Sequence, residues 1–234
     1  MITVRKSDDR GDFQIDWLKS KHSFSFGSYF DERHMGFGPL RVINEDRVAG
    51  DGGFQPHGHR DMEILSYVIS GALEHKDNKG NQAVIRPGEL QRMTAGTGIM
   101  HSEFNSSKTD PVHFLQIWIM PEKGGLQPGY EQIAFPEEDR RNTLKLIGSN
   151  SGEAGSVTIH QDVRLYGSLL DAGETVSHSL EKGRGAWVQV VKGSLEIGDE
   201  FLTEGDGAAV RNLDDLTITA VEDAEFLLFD LPLQ

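Results

Sequence analysis

Two short segments hold most of the chemistry available to this 234-residue chain. One is Gln55-Pro56-His57-Gly58-His59-Arg60-Asp61-Met62-Glu63, and the other is Gly96-Thr97-Gly98-Ile99-Met100-His101-Ser102-Glu103-Phe104-Asn105. In an extended strand residues two apart share a face, so His57 and His59 form one pair and His101 and Glu103 another. Neighbouring strands of a barrel would then aim four ligands at one interior point. Three neutral imidazoles and one carboxylate suit Fe²⁺, Mn²⁺, Cu²⁺, Ni²⁺, Co²⁺ or Zn²⁺, and suit the oxygen-preferring Mg²⁺ and Ca²⁺ poorly. Four protein ligands leave octahedral positions open for water, a substrate oxygen or dioxygen.

Taken singly, a His-x-His or a His-x-Glu pair is weak evidence for a metal. The two pairs gain force together, because both have strand spacing and both lie in the same half of the chain. The other half contains a faint echo of the first. Ser70-Gly71-Ala72-Leu73-Glu74 lies over Lys192-Gly193-Ser194-Leu195-Glu196 at an offset of 122, and Gly88 lies over Gly205 at 117. Those offsets carry His57 and His59 onto Ser179 and Glu181, and His101 and Glu103 onto Ile218 and Ala220. Histidines serving barrel architecture alone should recur in the copy. The His57-x-His59-x-Asp61 run also opens the HxHxDH pattern of binuclear hydrolases. Met62 stands where that pattern needs a histidine, and the strand-like EILSYVI follows where it needs a helix.

The elements that must position these residues read as short strands. His22–Phe26, Glu63–Ile69, His113–Ile119, Ser156–His160, Trp187–Val191 and Leu216–Ala220 are β-branched or aromatic and often alternate, while helical spacing is scarce. Asn78-Lys79-Gly80-Asn81, Pro87-Gly88 and Gly205-Asp206-Gly207 read as turns. The expectation is an all-β protein of two tandem antiparallel barrels packed face to face, residues 1–134 and 135–234. The Pro- and Gly-rich stretch from Pro121 to Asn142 is the predicted linker, with Glu137 to Arg141 a solvated charge block.

Composition narrows the function classes. Lys plus Arg number 23 against 37 Asp plus Glu, a net charge of −14, which disfavours contact with nucleic-acid phosphates. The absence of cysteine excludes thiolate metal sites, disulfides and cysteine nucleophiles. Met1 to Asp12 has no apolar stretch behind its basic residues, and no run is long enough for a membrane helix, so a cytoplasmic, monomeric protein is expected. Nucleotide-binding glycine motifs and the Gly-x-Ser-x-Gly elbow are missing. Aromatics crowd the stretch from Phe13 to Phe37, where they seal a barrel mouth or an interdomain core, or offer a flat substrate a surface to stack on. His22, His34, His75, His113, His160 and His178 have no partner at ligand spacing and read as surface or hydrogen-bonded residues, although His113 alternates with core residues and could orient a ligand.

Gly52/Gly53, His57-x-His59, Glu63 and Gly71, followed by Gly98-x-x-His101 and Asn105, resemble the two conserved motifs of the cupin superfamily. Within it the chain resembles the pirin family, and in particular the bacterial pirin-like quercetinases. The likeness runs through His22-Ser23-Phe24-Ser25-Phe26, Leu40-Arg41-Val42-Ile43-Asn44, Thr94 to Glu103 and Gln116-Ile117-Trp118-Ile119. The resemblance implies a bicupin holding one divalent ion, Fe²⁺ first among the candidates, in the N-terminal barrel on His57, His59, His101 and Glu103. It further implies cleavage of a flavonol such as quercetin by O₂ with release of carbon monoxide. Glu103 would then accept the hydroxyl proton. The family's eukaryotic members imply an alternative, an iron-binding protein whose redox state regulates a protein partner. A sugar-binding or isomerase cupin is a third reading. Gly96 replaces the proline usual in the second cupin motif, and Glu63, a ligand in many cupins, is expected to play a structural or supporting role here.

Overall fold

The computed structural model describes residues 1–233. Twenty-two strands build two barrels, each a seven-stranded sheet facing a four-stranded one. In the N-terminal barrel the four-stranded sheet runs Gly53–His59, Ile99–Asn105, Leu73–Asp77, Gln82–Ile85. Glu63–Ser70, Val112–Ile119 and Leu40–Val48 form the middle of the larger sheet opposite it. The C-terminal barrel repeats the plan, with Thr175–Ser179, Asp215–Ala220, Ser194–Ile197 and Glu200–Thr203 facing a sheet centred on Arg184–Lys192 and Ala224–Pro232. Among the described residues the named strands pair antiparallel except for Lys145–Ser149 beside the two-residue strand Val157–Thr158, and one isolated parallel bridge joins Arg141 to Leu169. Among the described residues no helix is long and apolar enough to cross a membrane.

Period-2 alternation decides what fills each layer. Leu65, Tyr67 and Ile69 of one barrel pack with Trp187, Leu227 and Phe229 of the other in a shared core between the two large sheets. This confirms the face-to-face packing. The opposite faces of those strands point into the barrels. In the C-terminal barrel they contribute Ala186, Val188, Val190, Phe226 and Leu228 to a dry core with Leu216 and Ile218. In the N-terminal barrel an apolar cluster of Val48, Val68, Leu73 and Phe114 fills one part of the interior. A second cluster gathers Ile64, Met93, Ala95 and Ile99, and the remainder is shared by polar groups and aromatic side chains. Gly71 and Gly193 occupy matching left-handed turns, φ +78 and +73, where a Cβ would meet Pro111 O at 2.8 Å and Asp223 O at 2.2 Å. The repeat visible in sequence therefore rests on a turn that only glycine accommodates without strain.

Three expectations need correction. The first strand, Ile2–Arg5, pairs with Gly207–Val210 and so belongs to the C-terminal sheet, tying the chain's start to the far barrel. The predicted linker contains the strand Gly129–Ala134, hydrogen-bonded to Glu89–Thr94, and a helical turn at Glu137–Arg140. The charge block is not wholly solvated, since Arg140 is buried between the barrels. Its guanidinium donates to the Tyr67 hydroxyl at 2.8 Å and to Glu225 Oε1 at 3.2 Å, with Nε on Phe135 O at 3.0 Å. Burial and the Glu225 carboxylate raise the Tyr67 hydroxyl pKa well above its ordinary value, so this phenol stays neutral and hydrogen-bonded.

Candidate metal centre

His101 lies directly opposite His57 in the pairing of Ile99–Asn105 with Gly53–His59, and His59 lies opposite Ile99. The three rings cluster, with centroids 4.4 Å apart for His57 and His101, 4.9 Å for His59 and His101, and 4.8 Å for His57 and His59. One nitrogen from each lies within 4.8 Å of the others. A bulge between His101 and Glu103 shifts the register there, and Glu103 is buried with its carboxylate held from behind. Ser66 Oγ donates to Oε1 at 3.1 Å, and Gln116 Nε2 donates to Oε2 at 2.7 Å. Glu103 also forms a second potential ligand group with His101 and with His75. The two groups share His101, and of the second group His101 and Glu103 line the cavity.

Burial and the neighbouring imidazoles push His59 down to about 4 and His101 down to about 3. Both are therefore neutral at pH 7, the ligating form of imidazole. His57 Nδ1 sits 2.8 Å from Gln55 O, which places its proton there and leaves Nε2 bare. His101 Nε2 is buried with no hydrogen-bond partner. A bare, buried nitrogen beside two further imidazoles fits a divalent transition ion, because coordination satisfies an atom that would otherwise be stranded. Sequence spacing thus brings His57, His59 and His101 to one point, with Glu103 beside His101.

The donors open into a cavity of about 540 Å³, within the range of roughly 300–1,000 Å³ that small-molecule sites occupy. Phe13, Trp17, Phe26, Phe54, Ile64 and Trp118 form apolar walls, and Ser20, Asn44, Asp46 and Gln116 add a polar lining. Aromatics from the N-terminal stretch divide between both anticipated places: Phe24 and Phe37 enter the interdomain core, whereas Phe13, Trp17 and Phe26 line the cavity. Asn44 Oδ1, Trp118 Nε1 and His22 Nδ1 line it without partners among the described residues. Asp46 is buried against Ser20, and burial together with the Glu103 and Glu45 charges pushes its carboxyl up to about 7 despite the Ser20 hydroxyl.

Glu63 lies elsewhere. Its Oε2 accepts from the His160 backbone N–H at 3.3 Å, faces His160 Nδ1 at 3.2 Å and lies 4.0 Å from Arg92, which makes it a tie between the barrels. His113 bonds Glu45 at 2.9 Å. Sequence reasoning missed His75, which is fully buried behind His101, and missed Asp46, Ser66 and Gln116. The offsets used for the second barrel also slip by two residues at one end. Leu73 pairs with Asn105 and Leu195 with Ala220, so Leu216 and Ile218 stand in the places of His101 and Glu103. His178, opposite Leu216, stands in that of His57. It faces Asp230 at 2.9 Å, and among the described residues it belongs to no group of three potential ligands.

Fold and site together define a bicupin with one imidazole cluster in its leading barrel. The chain belongs to the pirin family: the Pirin profile matches residues 3–119 and the Quercetinase C-terminal cupin domain matches residues 146–231. It is 45% identical over 232 residues to quercetin 2,3-dioxygenase of Escherichia coli K12, covering 99% of both chains. It is 40% identical to a pirin-like protein of Caulobacter vibrioides, covering 98% of this chain and 99% of that one. The crystal structure of bacterial pirin YhhW from Escherichia coli in complex with nickel(II) superposes with a TM-score of 0.96 at 44% identity and covers 100% of both chains. By this kinship the chain is an enzyme of the metal-binding cupin type.

Proposed function

We propose that this protein is a metal-dependent dioxygenase that opens flavonols of the quercetin type, with one divalent transition ion held by His57, His59, His101 and Glu103. The observation that carries this reading is the position of three clustered imidazoles and a buried carboxylate at an aromatic-walled cavity. Such walls suit a flat polyphenol better than a sugar, whose hydroxyls would demand more polar partners. When bound, the ion supplies Lewis-acid activation of the substrate hydroxyl and a meeting point for the flavonol and O₂. Phe26 and Trp118, packed edge to face with centroids 5.3 Å apart, present ring surface to the substrate. Glu103 accepts the proton of the substrate's 3-hydroxyl, and Gln116 and Ser66 hold that carboxylate in place. Asn44 and Trp118 are free to bond the remaining oxygens. Ring opening by O₂ expels carbon monoxide and leaves both oxygen atoms in the product.

The test is an aerobic assay with quercetin on protein loaded separately with Fe²⁺, Ni²⁺, Cu²⁺, Mn²⁺, Co²⁺ and Zn²⁺, with carbon monoxide measured in the headspace. Flavonol loss with stoichiometric carbon monoxide from at least one metal form is the expected result. Inertness of every loaded form rules the reading out.

A further inference from the structure

His75 and Asp77 lie behind His101 on the neighbouring strand, away from the cavity, and no step of the proposed reaction uses them. His75 is completely buried. Its Nε2 sits 3.1 Å from Asp77 Oδ2, and its Nδ1 sits 3.5 Å from Nδ1 of His101. Asp77 is surrounded by donors. Its Oδ1 accepts from the backbone N–H groups of Lys79 at 2.8 Å and Asn81 at 3.1 Å, and Oδ2 accepts from Asn81 Nδ2 at 2.8 Å. A carboxylate in such a ring only accepts, so the proton of His75 resides on Nε2. Its Nδ1 is then a bare lone pair aimed at His101.

Two bare nitrogens facing each other in a dry interior would repel, and the favourable alternative is a proton on Nδ1 of His101 donated toward His75. At 3.5 Å that hydrogen bond is weak; its polarity, not its strength, selects the tautomer. The consequence falls on the other side of the ring, where His101 Nε2 is left unprotonated beside His57 and His59. This accounts for why that buried nitrogen has no partner of its own. We infer that Asp77 and His75 are positioning residues that act as a tautomer lock, presenting the His101 Nε2 lone pair to the metal site before any ion arrives. The second barrel fits this assignment. Ile197, opposite Ile218, occupies the place of His75, so the supporting histidine is lost along with the residue it would support.

The lock rests on the reading of the histidine cluster as a metal site, and the two are separable by experiment. Long-range ¹H–¹⁵N NMR on the metal-free wild-type protein should show His75 protonated at Nε2 and His101 at Nδ1. A proton on Nε2 of His101 would overturn the lock whatever the fate of any variant. In Asp77→Asn the side-chain oxygen remains to accept from Lys79 and Asn81, and the amide N–H group meets His75 Nε2. Both imidazoles are then expected to reverse their tautomers, and Ni²⁺ affinity, measured by calorimetry, to fall roughly 10- to 100-fold, the usual cost of losing a ligand's hydrogen-bond support. Reversed tautomers with wild-type Ni²⁺ affinity would also refute the lock. Failure of the wild-type protein to bind Ni²⁺, with His101 protonated at Nδ1 as described, would instead remove the metal reading and leave the tautomer assignment intact.

Discussion

The two barrels share a strand plan but differ in the layer between their sheets. Ser66 pairs with Gln116 in the N-terminal barrel, and Val188 pairs with Leu228 at the matching place in the other. Along with His101 to Leu216 and Glu103 to Ile218, these exchanges run from polar to aliphatic. One barrel is closed by a dry core that includes Val188, Leu216, Ile218 and Leu228. The other holds a buried carboxylate and an imidazole cluster around open space, and it gives up the packing that those positions would otherwise supply. The functional barrel is thus the less efficiently filled one, and the apolar barrel behind it supplies a rigid wall through the shared interdomain core.

The sharpest way to break this comparison is to make the first barrel resemble the second. His101→Leu installs the side-chain type that Leu216 already presents, and it should abolish retention of the ion while the protein still folds. If roughly 10–16 kcal/mol of binding is spread over four ligands, one ligand's share is about 3 kcal/mol, which is a loss of more than a hundredfold. Metal content after dialysis, read with circular dichroism on the same sample, checks it; full retention would exclude His101 as a ligand. Glu103→Gln is subtler, since it keeps the shape and one acceptor oxygen while removing the base. Turnover should fall by about 10²- to 10⁴-fold, the range for general acid–base catalysis, with most of the metal retained. Undiminished turnover would free Glu103 from the proton-transfer role.

In the second barrel His178 has kept its place but serves a different network. Asp230 is buried and takes His178 Nε2 at 2.9 Å together with the Arg184 guanidinium, whose Nη1 also reaches Asp162 at 2.7 Å. Asp230→Asn leaves Arg184 short of its buried counter-charge and should cost roughly 3–5 kcal/mol in stability. Metal content per folded chain should stay at the wild-type level. Denaturant titration beside metal analysis separates the outcomes, and loss of the ion in this variant would mean that the second barrel takes part in metal binding.

How much was legible follows from the same contrast. His57, His59 and His101 could be read because strand alternation is local: residues two apart share a face whatever the rest of the chain does. The slip that sent His57 to Ser179 rather than His178 shows the limit of an offset drawn from short strands, since a one- or two-residue loop difference is invisible to it. His75, Asp46, Ser66 and Gln116 each come from a different strand and converge only when the barrel closes, so no spacing announces them. Arg140 looked solvated because its neighbours are charged. Tyr67 and Glu225, distant in sequence, draw its guanidinium under the surface. Ile2–Arg5 alternates like a strand, but nothing local names its partner in the far barrel.

Asp46 gives the expected effect most specific to the N-terminal barrel. Its pairing with Phe114 corresponds to that of Ser168 with Phe226, so an ionisable group occupies a position that the second barrel fills with a hydroxyl. Folding carries this carboxyl from an ordinary value of 3.8 up to about 7 in the absence of an ion, chiefly through burial, with the charges of Glu103 and Glu45 adding to it. Between those two values the folded protein holds a proton that the unfolded chain has released. Stability therefore decreases as pH rises from near 4 to near 7, and the penalty is complete above the folded value. Asp46→Asn preserves the shape of the protonated acid and cannot ionise. Metal-free variant and wild type should be about equally stable at pH 4, and the variant should gain steadily above that, by at most about 1.4 kcal/mol per pH unit, up to neutrality. Urea titrations at pH 4, 5.5, 7 and 8 check the trend. A stability difference that stays flat over that range would mean Asp46 ionises like a surface carboxyl.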